Sequence, residues 1–117
     1  MLYIPKTKEE LQKLIDDEVD LSTVDVSNIK DMSYIFANKS PRGIANWDVS
    51  NVECMDFMFF GANITEDISN WNVSNVKSFQ HMFQNSNFNH SISTWNVSSA
   101  QDISYMFNNS EFNKNLS

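Results

Sequence analysis

Glycine occurs twice in 117 residues and cysteine once. Two glycines do not make a glycine-rich phosphate loop, whose backbone must approach its ligand closely. A lone Cys54 excludes an internal disulfide and a cysteine-based zinc knuckle. Positive charge is also scarce: eight Lys and Arg stand against fifteen Asp and Glu, for a net charge of −7. A chain so poor in cations cannot neutralise phosphates, so nucleic acid is excluded as a partner. The acidity is uneven. Residues 1–31 carry eight acids and four lysines, whereas residues 71–117 carry two acids and two bases. A solvated acidic end of this kind favours solubility. No apolar run approaches the roughly 20 residues of a membrane helix, so membrane insertion by this chain is not expected. The opening "MLYIPKTKEELQKLIDDEV" has no basic start followed by an apolar core. It does not read as a signal peptide, and an export signal is expected outside this sequence if the protein is exported.

What the sequence has is repetition. "NWDVSNVECMDFMF" (46–59), "NWNVSNVKSFQHMF" (70–83) and "TWNVSSAQDISYMF" (94–107) place Trp47, Trp71 and Trp95 at intervals of 24 residues. A fixed period in this range signals repeated structural units. The apolar columns are I/L-x-x-W-x-V-x-x-V-x-x-M-x-x-M-F. They are filled in the third repeat by Ile68, Trp71, Val73, Val76, Phe79, Met82 and Phe83. Leu21, Val24, Val26, Ile29, Met32, Ile35 and Phe36 extend the pattern back to a first repeat, with Val24 in the tryptophan column. The fourth repeat is expected to close near an exit residue, Leu116.

Trp71 and Val73 are two apart, which is strand spacing, and Val76, Phe79, Met82 and Phe83 are three or four apart, which is helical spacing. The expected fold is therefore an α/β solenoid: a leucine-rich-repeat-like stack of four ~24-residue strand-turn-helix units over residues 21–117, each covering its neighbour's apolar face. Asn38, Gly61, Asn85 and Asn109 stand two residues past the closing Phe of each repeat. Asn and Gly tolerate the left-handed conformation, so positive φ is expected there. Residues 1–20 read as an N-terminal capping helix segment. Thr7 is the N-cap, Glu10 completes a capping box, and Leu11, Leu14, Ile15 and Val19 share one face.

"WDVSNVECMDFMF" and "WNVSNVKSFQHMF", with "IS" ahead of the next tryptophan, closely resemble the repeats of the BspA-like leucine-rich repeat surface proteins. They are similar in particular to the branch noted in mycoplasma lipoproteins. "PKTKEELQKLI" resembles the segment that often precedes those repeats. The resemblance covers nearly the whole chain. It implies a bacterial, non-enzymatic repeat protein at the cell surface or secreted, mediating adhesion or another protein–protein interaction. A host or matrix protein would be its partner. The absence of a signal keeps a cytoplasmic interaction or inhibitor/immunity-type module as the alternative.

The side chains support no catalytic, metal or cofactor assignment. His81 and His90 have no second ligand at metal spacing. Cys54 has no neighbour that would activate a thiolate. The serines have no histidine partner in the repeat frame. Met32, Met55, Met58, Met82 and Met106 fall on apolar columns and read as core. The tryptophans read as inward, in register with Val49, Val73 and Val97. One column remains for recognition. Asp25, Asp48, Asn72 and Asn96, flanked by Thr23, Asn46, Asn70 and Thr94, would form a polar ladder on the strand face, with inter-repeat bonding of a solvated face as the plainer reading. The fourth repeat carries no cap, so it is expected either to self-associate through Trp95, Val97 and Phe112, as a two-fold contact, or to fray.

Overall fold

The computed structural model describes residues 3–110, 112 and 114. Leu116, the expected exit residue of the fourth repeat, lies outside the described residues. One α-helix, α1, spans Lys8–Asp16, and a single 3₁₀ turn spans Leu21–Thr23. The Thr7 hydroxyl caps α1 by accepting from the Glu10 N–H at 3.1 Å. Glu10 reaches back one residue further than a capping box requires, accepting from the Lys6 N–H at 2.8 Å. Leu11 and Ile15 are buried, with Leu14 and Val19 packed partly against the same core. The helix lies against the first repeat: the Gln12 side-chain amide donates to the Ile35 carbonyl at 3.3 Å. Lys39 pairs with Asp16 at 3.4 Å.

The repeats themselves overturn the α/β solenoid of strand-turn-helix units. Among the described residues no sheet forms. The parallel pairings are isolated bridges, Tyr3–Val24 and the series Asp31–Cys54–Ser78–Asp102. The "NWDVS", "NWNVS" and "TWNVS" segments do not pair as strands; Trp47, Trp71 and Trp95 each close a turn by donating to Ile44, Ile68 and Ile92. The M-x-x-M-F segment is not helical either. Met58 donates to Met55 and Met82 to Phe79, both at 3.2 Å, which is three residues back rather than the helical four. The third residue of these turns has positive φ: Tyr34 65°, Phe57 57°, His81 57° and Tyr105 57°. A second turn follows at once, with Ala62 donating to Phe59 and Ser86 to Phe83. Its third residues are Asn38, Gly61, Asn85 and Asn109, all at positive φ as expected for this column. A positive φ at the third position of a four-residue turn is the type II pattern. Two such turns in succession place apolar residues at i, i+3 and i+4, the same spacing that a helix would give.

The N–H groups left over by the turns connect the repeats. Phe57, Phe59 and Gly61 donate to the carbonyls of Gln80, Met82 and Gln84 at 2.8–2.9 Å. The same rung recurs on either side, from Tyr34 to Asp56 and from His81 to Ser104. Along these turns the N–H groups point toward the following repeat, whereas just before them Glu53, Lys77 and Gln101 donate the other way, to the Lys30, Glu53 and Lys77 carbonyls of the preceding repeat.

Between the repeats lies the core. Phe36, Phe59, Phe83 and Phe107 form an inner column with ring centroids 5.7, 5.6 and 5.5 Å apart. The three tryptophans are buried, and so are all five methionines of the apolar columns. Each indole N–H crosses to the preceding repeat, Trp47 to the Leu21 carbonyl, Trp71 to Ile44 and Trp95 to Ile68, at 2.9–3.1 Å. A buried indole needs such a partner.

Candidate functional site

The Asp/Asn column does not stand on a sheet. Each member folds its own carboxylate or amide oxygen onto the serine two residues on. The Ser27, Ser50, Ser74 and Ser98 N–H groups donate to Asp25, Asp48, Asn72 and Asn96 at 2.9–3.0 Å. These are Asx turns, in which the short polar side chain replaces a backbone acceptor. The serine N–H groups hold Asp25 below the usual carboxylate range, and the Ser69 N–H does the same for Asp67. Flanking residues are also used structurally. The Thr23 hydroxyl donates to the Asp20 carbonyl and that of Thr94 to the Ser69 carbonyl. Asn46 and Asn70 are exposed. The eight residues thus lie along one run of turns, with the column itself occupied in shaping them.

A different surface column carries the less ordinary geometry. Tyr34, Phe57, His81 and Tyr105 occupy the same place in successive repeats. Their rings stack at 4.6, 4.4 and 5.0 Å with interplanar angles of 6°, 13° and 11°. All four have positive φ. For a bulky L-residue that conformation costs about 1–2 kcal/mol, and strain of this kind concentrates at functional sites. The N–H groups of Tyr34, Phe57 and His81 are each anchored to the next repeat, which over-determines the conformation. Tyr34 and Tyr105, the two end rings, are 54% and 64% exposed. In the sequence His81 stands out only as a histidine without a second metal ligand. The signal was an aromatic ring at that position in all four repeats.

Polar groups run along one edge of the column. The Asp56 carboxylate accepts from the Ser78 hydroxyl and the Gln80 N–H. Asp31 and Asp102 accept from the N–H groups of Ser33 and Ser104 at 2.8 and 2.9 Å. Asp102 also accepts from the Gln80 side-chain amide, and the hydroxyl and N–H of Ser104 hold its carboxyl below the usual range. Lys8 closes the Tyr34 end. Its ammonium donates to the Ser33 hydroxyl at 2.7 Å, lies 3.9 Å from Asp31 and sits 6.0 Å from the Tyr34 ring centroid.

Elsewhere the chemistry is sparse. Burial pushes the Cys54 thiol up, away from the thiolate form. Among the described residues no group of three His, Cys, Asp or Glu side chains could hold a metal ion. No described helix is long and apolar enough to cross a membrane. At the fourth repeat a depression of about 490 Å³ is lined by Phe79, Trp95, Val97, Ile103 and Tyr105 among others. Val97 and Ile103 are 46% and 60% exposed there, whereas Val73 and Phe79, one repeat earlier, are buried.

Side-by-side turn units at a 24-residue interval, with an inner and an outer aromatic column, define a repeat protein. The chain belongs to the family described as Mycoplasma protein of unknown function, DUF285, which matches residues 7–117. No curated protein and no solved structure matches it.

Proposed function

We propose that this is a non-enzymatic surface repeat protein that binds another protein, in adhesion or a related interaction, through the outer aromatic column. The observation that carries the reading is the run of Tyr34, Phe57, His81 and Tyr105, stacked, strained in φ and held at the surface. A repeat that needed only solubility would place a polar residue there. Aromatic anchors are the residues that dominate protein–protein contacts. The stacking also bears on ligand class. Sugars pack on ring faces, and here neighbouring rings cover one another's faces. What remains is a ridge of ring edges, which carry the positive part of the quadrupole and suit the carbonyls, sulfurs and aromatic faces of a protein. The likeness of the repeats to BspA-like surface proteins supports placement at the cell surface.

The test is binding to immobilised matrix proteins, collagen and laminin, by surface plasmon resonance. A Phe57→Ala/His81→Ala variant should weaken binding at least tenfold. An Asp48→Ala/Asn72→Ala/Asn96→Ala variant should change it less than twofold. The opposite pattern would return the site to the Asx-turn column, and no binding by the native chain would remove the adhesion reading.

A further inference from the structure

The first and fourth repeats share a triple that the middle two lack. "DMSY" places Asp31, Ser33 and Tyr34 together, and "DISY" places Asp102, Ser104 and Tyr105 together. The second and third repeats have Cys54, Asp56 and Phe57, then Ser78, Gln80 and His81, at the same positions. The backbone of the two triples matches, although the Ser104 hydroxyl donates to Asp102 whereas that of Ser33 accepts from Lys8. In both, the aspartate accepts from the serine N–H two residues on, and the tyrosine takes positive φ at an end of the outer column. At the first triple the chain supplies its own occupant, the Lys8 ammonium, in contact with the Ser33 hydroxyl and set against the Asp31 carboxylate and the Tyr34 ring. At the fourth triple no Lys or Arg of the described residues forms an ion pair with Asp102.

We propose that Asp102, Ser104 and Tyr105 form a recognition site for a lysine or arginine side chain of the bound partner, equivalent in chemistry to the site that Lys8 fills on Asp31, Ser33 and Tyr34. This rests on the reading of the outer column as a protein-binding ridge and names the charge of its partner. A carboxylate, a hydroxyl oxygen and an aromatic ring are the three groups that an ammonium or guanidinium head uses when it leaves bulk water. Its methylene stem would lie along the ring edges, as long cationic side chains do on apolar surfaces. Tyr34 and Tyr105 end the column at opposite sides, so the cation enters along the Asp–Ser edge rather than by a simple translation of Lys8. The Gln80 amide, which donates to Asp102, neutralises none of its charge. His81 stacks on Tyr105.

The probe is a nona-lysine peptide titrated into the full chain at low salt and followed by amide chemical shifts. Its fully acetylated counterpart is the control. The expected result is a saturable shift centred on Ser104 and Tyr105, absent with the acetylated peptide. Asp102→Asn, which keeps an Asx-turn acceptor, should weaken it at least fivefold, and so should Tyr105→Leu. Asp48→Asn, an exposed carboxylate in the other column, should change it less than twofold. Equal loss with Asp48→Asn and Asp102→Asn would mean undirected charge attraction and would overturn the site, as would shifts centred elsewhere or none. Loss of the site with Phe57 and His81 still required for matrix binding would leave the ridge reading standing. The reverse result would sink the ridge and keep the cation contact.

Discussion

Asp25 and Asn72 do the same work in the same column: each oxygen accepts from a serine N–H two residues along. The difference is that only the aspartate titrates. The Ser27 N–H and then its hydroxyl hold the Asp25 carboxyl below its ordinary value, and serine donors hold Asp20, Asp67 and Asp102 down in the same way. A carboxyl depressed in the folded chain stabilises it above the unfolded value, about 3.9, and that contribution is lost as pH falls through the folded value. Stability to urea should therefore decline below about pH 4. Asp25→Asn keeps the turn and removes one titrating group, so its urea midpoint should fall less between pH 5 and pH 3 than that of the native chain. An unchanged slope would mean that Asp25 is equally depressed when unfolded. The serine–carboxylate pairing was present in the sequence as repeated D/N-V-S. Side chains two apart also share a strand face, so the same pattern fits a polar ladder as well as a turn.

At the scale of the element, the apolar columns were legible and the backbone between them was not. Met55, Met58 and Phe59 are buried at the positions the period assigns them. Yet i, i+3, i+4 spacing is common to a helix and to two consecutive type II turns, and burial alone cannot separate them. The discriminating evidence was local. Asn or Gly two residues past the closing Phe indicated one left-handed residue. The aromatic position four residues before it in every repeat is the other. An aromatic residue gives no sequence cue for positive φ, since that conformation disfavours it. The tryptophans were expected to be inward because of alternation. They are inward because each indole spans to the preceding repeat. Trp71→Phe keeps most of the ring and loses the bond to the Ile44 carbonyl, which still accepts from the Trp47 N–H. It should cost about 1–3 kcal/mol, against about 3–5 for Trp71→Ala. Urea unfolding of both variants measures the difference. Equal losses would assign the whole effect to the indole N–H and none to the ring volume that phenylalanine keeps.

For the whole molecule, the direction of the inter-repeat bonds along the paired turns bears on how two copies can meet. Phe79, His81, Phe83 and Asn85 donate to Asp102, Ser104, Met106 and Asn108. The corresponding groups of the fourth repeat are the N–H groups of Ile103, Tyr105, Phe107 and Asn109, which have no acceptor among the described residues. Along these turns a two-fold, tail-to-tail pairing would set the donors against an identical row of donors, which opposes the apolar contact that the exposed Val97 and Ile103 offer. Their complement is a row of carbonyls, which the molecule presents at the opposite side of its first repeat. There α1 covers it, with Gln12 bonded to the Ile35 carbonyl and Leu11 buried beneath. Head-to-tail contact therefore requires α1 to leave. The 117-residue chain should sediment as a monomer at micromolar concentration. Leu11→Asp, which undocks the helix by placing a charge in the core, should produce open, concentration-dependent oligomers, since a heterologous contact without closure propagates. Sedimentation velocity on both chains distinguishes the cases. A native dimer that persists with a charge at Val97 would contradict the polarity argument. A Leu11→Asp chain that unfolds without assembling would mean that α1 is needed for the first repeat to hold its shape. Replacing Gln12 with Ala, which frees the Ile35 carbonyl and leaves Leu11 in place, then tests the same edge in a folded chain and should raise the oligomer fraction only at high concentration.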